Sequence, residues 1–272
     1  MNMSLWNPRR AMFSFRRHLQ EEVAAYRAEL QDDPIFILGT QKSGTSAIAA
    51  LLGMRAGVTS AIDLPREIRR PTSHLVHNGR VPFKRFLHRN AVDFSRVIIK
   101  EPNLTFLVDH LLEQWPDARL AFVIRDPVQT VRSVLDRLQL PGDQLELSPK
   151  QRVSIPPAWR IVVDNHWLGI HDASYIDQLA GRWRVAADIA AELGDRVEIV
   201  RYEEFLEDKS GVIDRLALKL GLDCRVDISA RLDEEFQPRG RHREDPNTFF
   251  KDNFERILHM TAEHRTQFGY GT

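Results

Sequence analysis

Short apolar runs alternate with amphipathic stretches along most of the chain. Pro34 to Leu38 (PIFIL) is apolar throughout, as a strand buried on both faces requires. Residues 96–100 (RVIIK), 119–124 (RLAFVI) and 196–201 (RVEIVR) read as three further strands. Between them the apolar positions recur at helical spacing over 14–30, 45–54, 103–114, 128–139, 172–193 and 209–220, with Pro116 and Gly194 as stops. Strands alternating with helices predict an α/β fold, a central parallel sheet flanked by helices. Residues 141–158, rich in Pro, Gly, Ser and Gln, read as a surface insertion bordering a cleft. Residues 237–248 read as a basic loop. With no internal repeat and no linker, the expected division is a helical N-terminal segment, 1–33, and one domain, 34–272.

Composition narrows the function classes. Hydrophobic residues at 43% and charged residues at 28% supply a full core and argue against disorder. Lys plus Arg equals Asp plus Glu, 38 each, so no global bias points to nucleic acid and any anion site is local. The single cysteine, Cys224, rules out an intramolecular disulfide and a cysteine metal cluster. No apolar run reaches the ~18 residues of a membrane span, and the N-terminus lacks a signal-peptide core. A reducing, cytoplasmic setting is expected. Arg9, Arg10, Arg16 and Arg17, interleaved with Trp6, Met12, Phe13 and Phe15, suit either an anionic membrane surface or a leading helix packed on the domain.

The chemistry concentrates at Gly39-Thr-Gln-Lys-Ser-Gly-Thr-Ser46. The segment follows a predicted strand and opens a predicted helix. Backbone N–H groups converge on an anion in that setting. Gly39, Gly44 and Ser46 match the triphosphatase loop G-x-x-x-x-G-K-[ST], but Thr45 stands where the lysine belongs. Lys42 lies inside the turn instead. That suits a ligand with one 5′-phosphate and a neighbouring leaving oxygen.

Here the chain resembles the sulfotransferases that use 3′-phosphoadenosine-5′-phosphosulfate (PAPS), whose phosphosulfate loop reads approximately K-S-G-T-[ST] after a strand. The resemblance implies a P-loop-like fold, a PAPS donor, and no metal. It implies that Lys42 meets the bridging oxygen while Gln41, Ser43, Gly44, Thr45 and Ser46 hold the 5′-phosphate. Arg125, at the end of the third predicted strand, and Ser133, eight residues later, have the family's 3′-phosphate spacing. Asp126 between them reads as a helix cap rather than a metal ligand. Tyr202, in Arg201-Tyr-Glu-Glu-Phe205, matches a tyrosine near the nucleotide or else packs in the core. Arg239, Gly240 and Arg241 resemble a lid loop of the heparan-type branch.

The acceptor base is open. Lys100-Glu101-Pro102 resembles the K-T-P of carbohydrate and tyrosylprotein types, whose base is a glutamate after the first helix. Asp63 and Glu67 both lie there, and Glu101 is a third candidate. Lys100 either assists at the site or ends its strand. The acceptor is expected to be a hydroxyl on a carbohydrate, lipid or small metabolite. Two other readings stand beside this one: a nucleotide-binding protein without catalysis, and a P-loop nucleotide kinase.

Overall fold

The computed structural model describes residues 22–171, 174–236 and 245–271. Five strands form one sheet: β1 (Ile35–Gly39), β2 (Ser60–Ile62), β3 (Ile98–Lys100), β4 (Arg119–Ile124) and β5 (Val197–Arg201). Their order is β2-β3-β1-β4-β5 and every pairing is parallel. Ile35 registers with Ile98 on one side and Arg119 on the other. The sequence pattern yields four of the strands. The edge strand β2 (SAI), buried only at its middle residue, carries too weak an apolar signal to be read.

β1 is buried along its whole length because the sheet is covered on both faces. Ile35 and Ile37 face α1 (Thr45–Ala56) and α4 (Lys209–Lys219), against Ile48, Leu52, Ile213 and Leu216. Phe36 and Leu38 point the opposite way, into a core with Phe94, Trp115, Phe122 and Trp183 of α3 (Tyr175–Leu193). Truncating Phe36 to Ala would cost about 3–5 kcal/mol. A third apolar cluster joins α2 (Pro127–Leu138) and α3 to α5 (Asp252–Gln267).

The helix expected over 103–114 divides into a 3-10 turn, Pro102–Leu107, and a helix, Val108–Gln114. The expected surface insertion at 141–158 contains a helix, Pro149–Ser154, and runs into another, Pro157–Val163. Residues 22–27 are helical, and the rest of the expected N-terminal helix up to residue 21 lies outside the described residues. No described helix is long and apolar enough to cross a membrane.

The sheet order places β1 between β3 and β4, with β2 beyond β3. Chain direction therefore diverges at the carboxyl end of β1, where parallel α/β sheets open a crevice. The phosphate-type loop leaves β1 at that point.

Candidate active site

Gly39, Lys42 and Gly44 all have positive φ (133°, 70° and 98°). A Cβ at Gly39 would sit 2.4 Å from the Val123 carbonyl oxygen, and one at Gly44 would sit 2.1 Å from Tyr202 Cδ2. Only glycine fits either place. Thr105 Oγ1 ties the loop's entrance, accepting from Gly39 N (2.8 Å) and donating to Gly39 O (2.9 Å). Inside the turn, Ser43 Oγ donates to Thr40 O at 2.7 Å. Gly44 is the cap residue of α1 and has no side chain with which to cap that helix end. An uncapped helix N-terminus behind a glycine turn is an anion cradle.

The loop carries Lys42, whose backbone strain persists because neighbours hold it. Arg125 Nη1 donates to the Lys42 carbonyl at 2.9 Å. The Arg125 guanidinium lies 4.9 Å from the Tyr202 ring centre, and the same ring covers Gly44. Trp183 Nε1 donates to Arg125 O at 2.8 Å, which fixes the end of β4. Burial first, then the positive charges of Arg125, Arg137 and Lys100, push the Lys42 ammonium below its ordinary range. Ser133 is half-buried on α2, and Arg137 follows it by four residues on the same helix face. Asp126 accepts from Gln129 N (2.9 Å) and caps α2.

A cleft of about 260 Å³ opens beside Lys42. It is lined by Gln41, Lys42 and Thr45 of the loop, Asp63, Glu67 and Ile68, Lys100 to Asn103, Arg137, and Ala158, Trp159 and Val162. Asp63 has φ 64° and hydrogen-bonds Lys100 twice: its N–H donates to Lys100 O (2.8 Å), and Lys100 Nζ donates to Asp63 Oδ1 (2.5 Å). Lys100 is 1% exposed, so the pair is a half-buried bridge facing the cleft.

Glu67 lines the cleft but is spoken for. Oε1 accepts from Thr72 Oγ1 (2.7 Å) and Arg89 Nη1 (2.6 Å), and Oε2 from Thr72 N (2.6 Å) and Ser73 N (3.0 Å). Glu101 is likewise engaged, accepting from Leu64 N (3.3 Å), Asn103 N (3.2 Å) and Asn103 Nδ2 (3.2 Å). Burial, reinforced by Asp63, pushes the Glu101 carboxyl up to about 7.

Sequence reasoning misses Arg182. It is buried on α3 and donates to neutral oxygens: Asn103 Oδ1 (2.6 Å), Gln41 Oε1 (3.0 Å) and Asn165 Oδ1 (2.8 Å). Its guanidinium lies 4.3 Å from the Phe106 ring centre. Arg182 thus joins the phosphate-type loop, the turn after β3 and the segment after Pro157–Val163. The only sequence hint was a charge at an inward position of a long helix. Gln41 spends its side chain in this network, with Nε2 donating to Asn103 Oδ1 at 3.0 Å.

The structure brings Gln41, Lys42, Thr45, Asp63, Glu67 and Lys100 to the lining of one cleft. Arg125 and Tyr202 pack against the loop, and Ser133 stands outside that lining, four residues before Arg137 on α2. Arg239, Gly240 and Arg241 lie outside the described residues. Among the described residues, no group of three or more His, Cys, Asp or Glu is placed to hold a metal ion.

A family model described as "Sulfotransferase family" matches residues 80–226, more than half of the chain. The match includes Lys100, Arg125, Ser133 and Tyr202 and begins downstream of the glycine loop. Among solved structures, a sulfotransferase from Mycobacterium avium is similar at TM-score 0.54 and 14% identity, covering 93% of this chain and 80% of that one. A sulfotransferase from Mycobacterium tuberculosis H37Rv gives TM-score 0.53 at 14% identity, covering 91% of this chain and 81% of that one. Both likenesses are of fold. No curated protein matches the chain by sequence.

Proposed function

The chain belongs to the sulfotransferase family, and from that premise we propose that it transfers a sulfuryl group from PAPS to an acceptor hydroxyl without a metal. One observation carries the reading: Lys42, at the start of α1 and held by Arg125, lines the same cleft as Asp63 and its partner Lys100. The residues fit the donor. Gly39 and Gly44 let the backbone take the positive-φ turn that gathers loop amides, and the repulsion that Arg125, Arg137 and Lys100 exert on Lys42 is relieved by a polyanion. PAPS supplies an activated sulfuryl group on a phosphosulfate anhydride.

The chain's residues then do the rest. The loop amides and the α1 terminus hold the 5′-phosphate. Arg125 and Ser133 hold the 3′-phosphate, a role the family resemblance extends to Arg239, Gly240 and Arg241. Lys42 stabilises and protonates the bridging oxygen as its bond to sulfur breaks; its depressed proton affinity favours that donation. Asp63 takes the acceptor proton as the new oxygen–sulfur bond forms, and Lys100 orients Asp63. The products are a sulfate ester and adenosine 3′,5′-bisphosphate. Glu67 and Glu101 position backbone instead, since their oxygens are occupied.

The kinase reading needs an acid at the end of a central strand to position Mg²⁺. Asp126 is spent on capping α2. Incubation with radiolabelled PAPS, EDTA and a panel of hydroxyl acceptors tests the proposal, with labelled ester as the expected result. Mg²⁺-dependent ATP consumption in its place would support the kinase. Binding of adenosine 3′,5′-bisphosphate with no transfer to any acceptor would support a binding protein.

A further inference from the structure

The acceptor wall of the cleft has a chemical character of its own. Four of its polar side chains are already partnered, and Arg137 is its exposed cation. Glu67 accepts four hydrogen bonds, Glu101 three, and Asn103 Oδ1 receives from both Arg182 and Gln41. Asp63 is held by Lys100. A sugar needs several donors and acceptors spread over its surface, and a ring that left this wall's partnered groups in place would bury its own hydroxyls unsatisfied, at about 1–3 kcal/mol each.

What the wall offers instead is apolar surface. Ile68 is 53% exposed on the short helix Pro65–Arg69, and Ala158, Trp159 and Val162 face the cleft from the helix Pro157–Val163, which packs against it. Trp159 is only half-buried. An exposed isoleucine, an indole and Pro102 thus give apolar lining to the same cleft as Lys42 and Asp63. At about 260 Å³ the cleft lies just below the usual range of ligand pockets, about 300 to 1,000 Å³.

We propose that the acceptor is a small molecule whose hydroxyl sits on an apolar body, a phenolic or alicyclic ring rather than a sugar. The proposal deepens the sulfotransferase reading and rests on it. The ring would lie between Ile68 and Trp159, its hydroxyl directed to Asp63.

The test uses 2-naphthol and methyl β-D-glucopyranoside as probes on the whole chain. First, calorimetry with adenosine 3′,5′-bisphosphate establishes the donor site; no binding there would sink the sulfotransferase reading itself, and this proposal with it. With that ligand bound, 2-naphthol is expected to bind at least ten-fold more tightly than the glucoside, and with PAPS to be turned over with a correspondingly lower KM. Ile68→Asn, at an exposed position that carries little folding risk, should raise the naphthol KM about ten-fold, with nucleotide affinity unchanged. Trp159→Ala should do the same. Equal or better use of the glucoside overturns the acceptor class while leaving the donor reading intact. So does an unchanged naphthol KM in both variants.

Discussion

Arg125 donates to the carbonyl of Lys42 at 2.9 Å across 83 residues of chain. The end of β4 thus props the strained turn of the phosphate-type loop from behind, while the same guanidinium stacks on Tyr202. One side chain sets the loop's shape and contributes to its positive field. Arg125→Ala is therefore expected to weaken adenosine 3′,5′-bisphosphate about 10- to 100-fold, the range for a lost charged hydrogen bond. Arg125→Lys should recover part of it, since a lysine restores charge without the planar fork. Calorimetry distinguishes the two, and equal affinities in wild type and Arg125→Ala would refute the assignment.

Gly44 and Tyr202 are matched in the same way. Alanine at Gly44 meets Tyr202 at 2.1 Å and adopts a φ of 98°. The conformational term alone is about 1–2 kcal/mol. Gly44→Ala should abolish nucleotide binding and lower the denaturation midpoint. Adding Tyr202→Ala should return some stability by removing the clash but little affinity, because the backbone remains strained. A double variant no more stable than Gly44→Ala would mean the ring is not what restricts that position.

Glu101 gives a pH prediction with a definite sign. Its carboxyl is pushed up to about 7 from 4.5, first by burial and then by Asp63. The folded state therefore holds a proton that the unfolded state has released, so this group's contribution to stability is complete below about 4.5 and is lost as pH rises through about 7. Asp93, also raised, to about 6, acts in the same direction. Subtracting one variant from wild type isolates Glu101. Glu101→Gln should gain stability relative to wild type between pH 5 and pH 8 in urea titrations. A parallel pair of pH curves would show that the carboxyl does not titrate in that window.

Legibility followed local signal. Four of the five strands and the helix spacing stood in the apolar pattern, and the glycine loop stood in a contiguous motif. Arg125 and Ser133 needed only a strand end and an eight-residue offset. The misses were long-range or short. β2 has three residues and exists because it pairs with β3. Arg182 joins Gln41, Asn103 and Asn165, positions up to 141 residues away, and no window along the chain contains them together. The apolar lining was hidden for a similar reason: Ile68 and Trp159 lie on two short helices far apart in the chain, and only the packing of those helices brings them to one cleft.

The base is where sequence left a tie, and the side-chain geometry supplies unequal candidates. Asp63 faces the cleft with one hydrogen-bonded partner on Oδ1, whereas both oxygens of Glu67 are filled by donors that shape the 64–73 turn. A base needs an oxygen able to receive the acceptor proton. Asp63→Asn is therefore expected to lower kcat by about 10²- to 10⁴-fold, the usual worth of a general base, with adenosine 3′,5′-bisphosphate affinity nearly unchanged. Glu67→Gln should behave differently. Its amide nitrogen would confront Thr72 and Arg89 donors, costing stability on the order of 1–3 kcal/mol while leaving most of kcat in the folded fraction. Urea midpoints and kcat measured on both variants separate the roles. A large kcat loss in Glu67→Gln at full stability, alongside an active Asp63→Asn, would move the base to Glu67 and require the Thr72 and Arg89 contacts to open when acceptor binds.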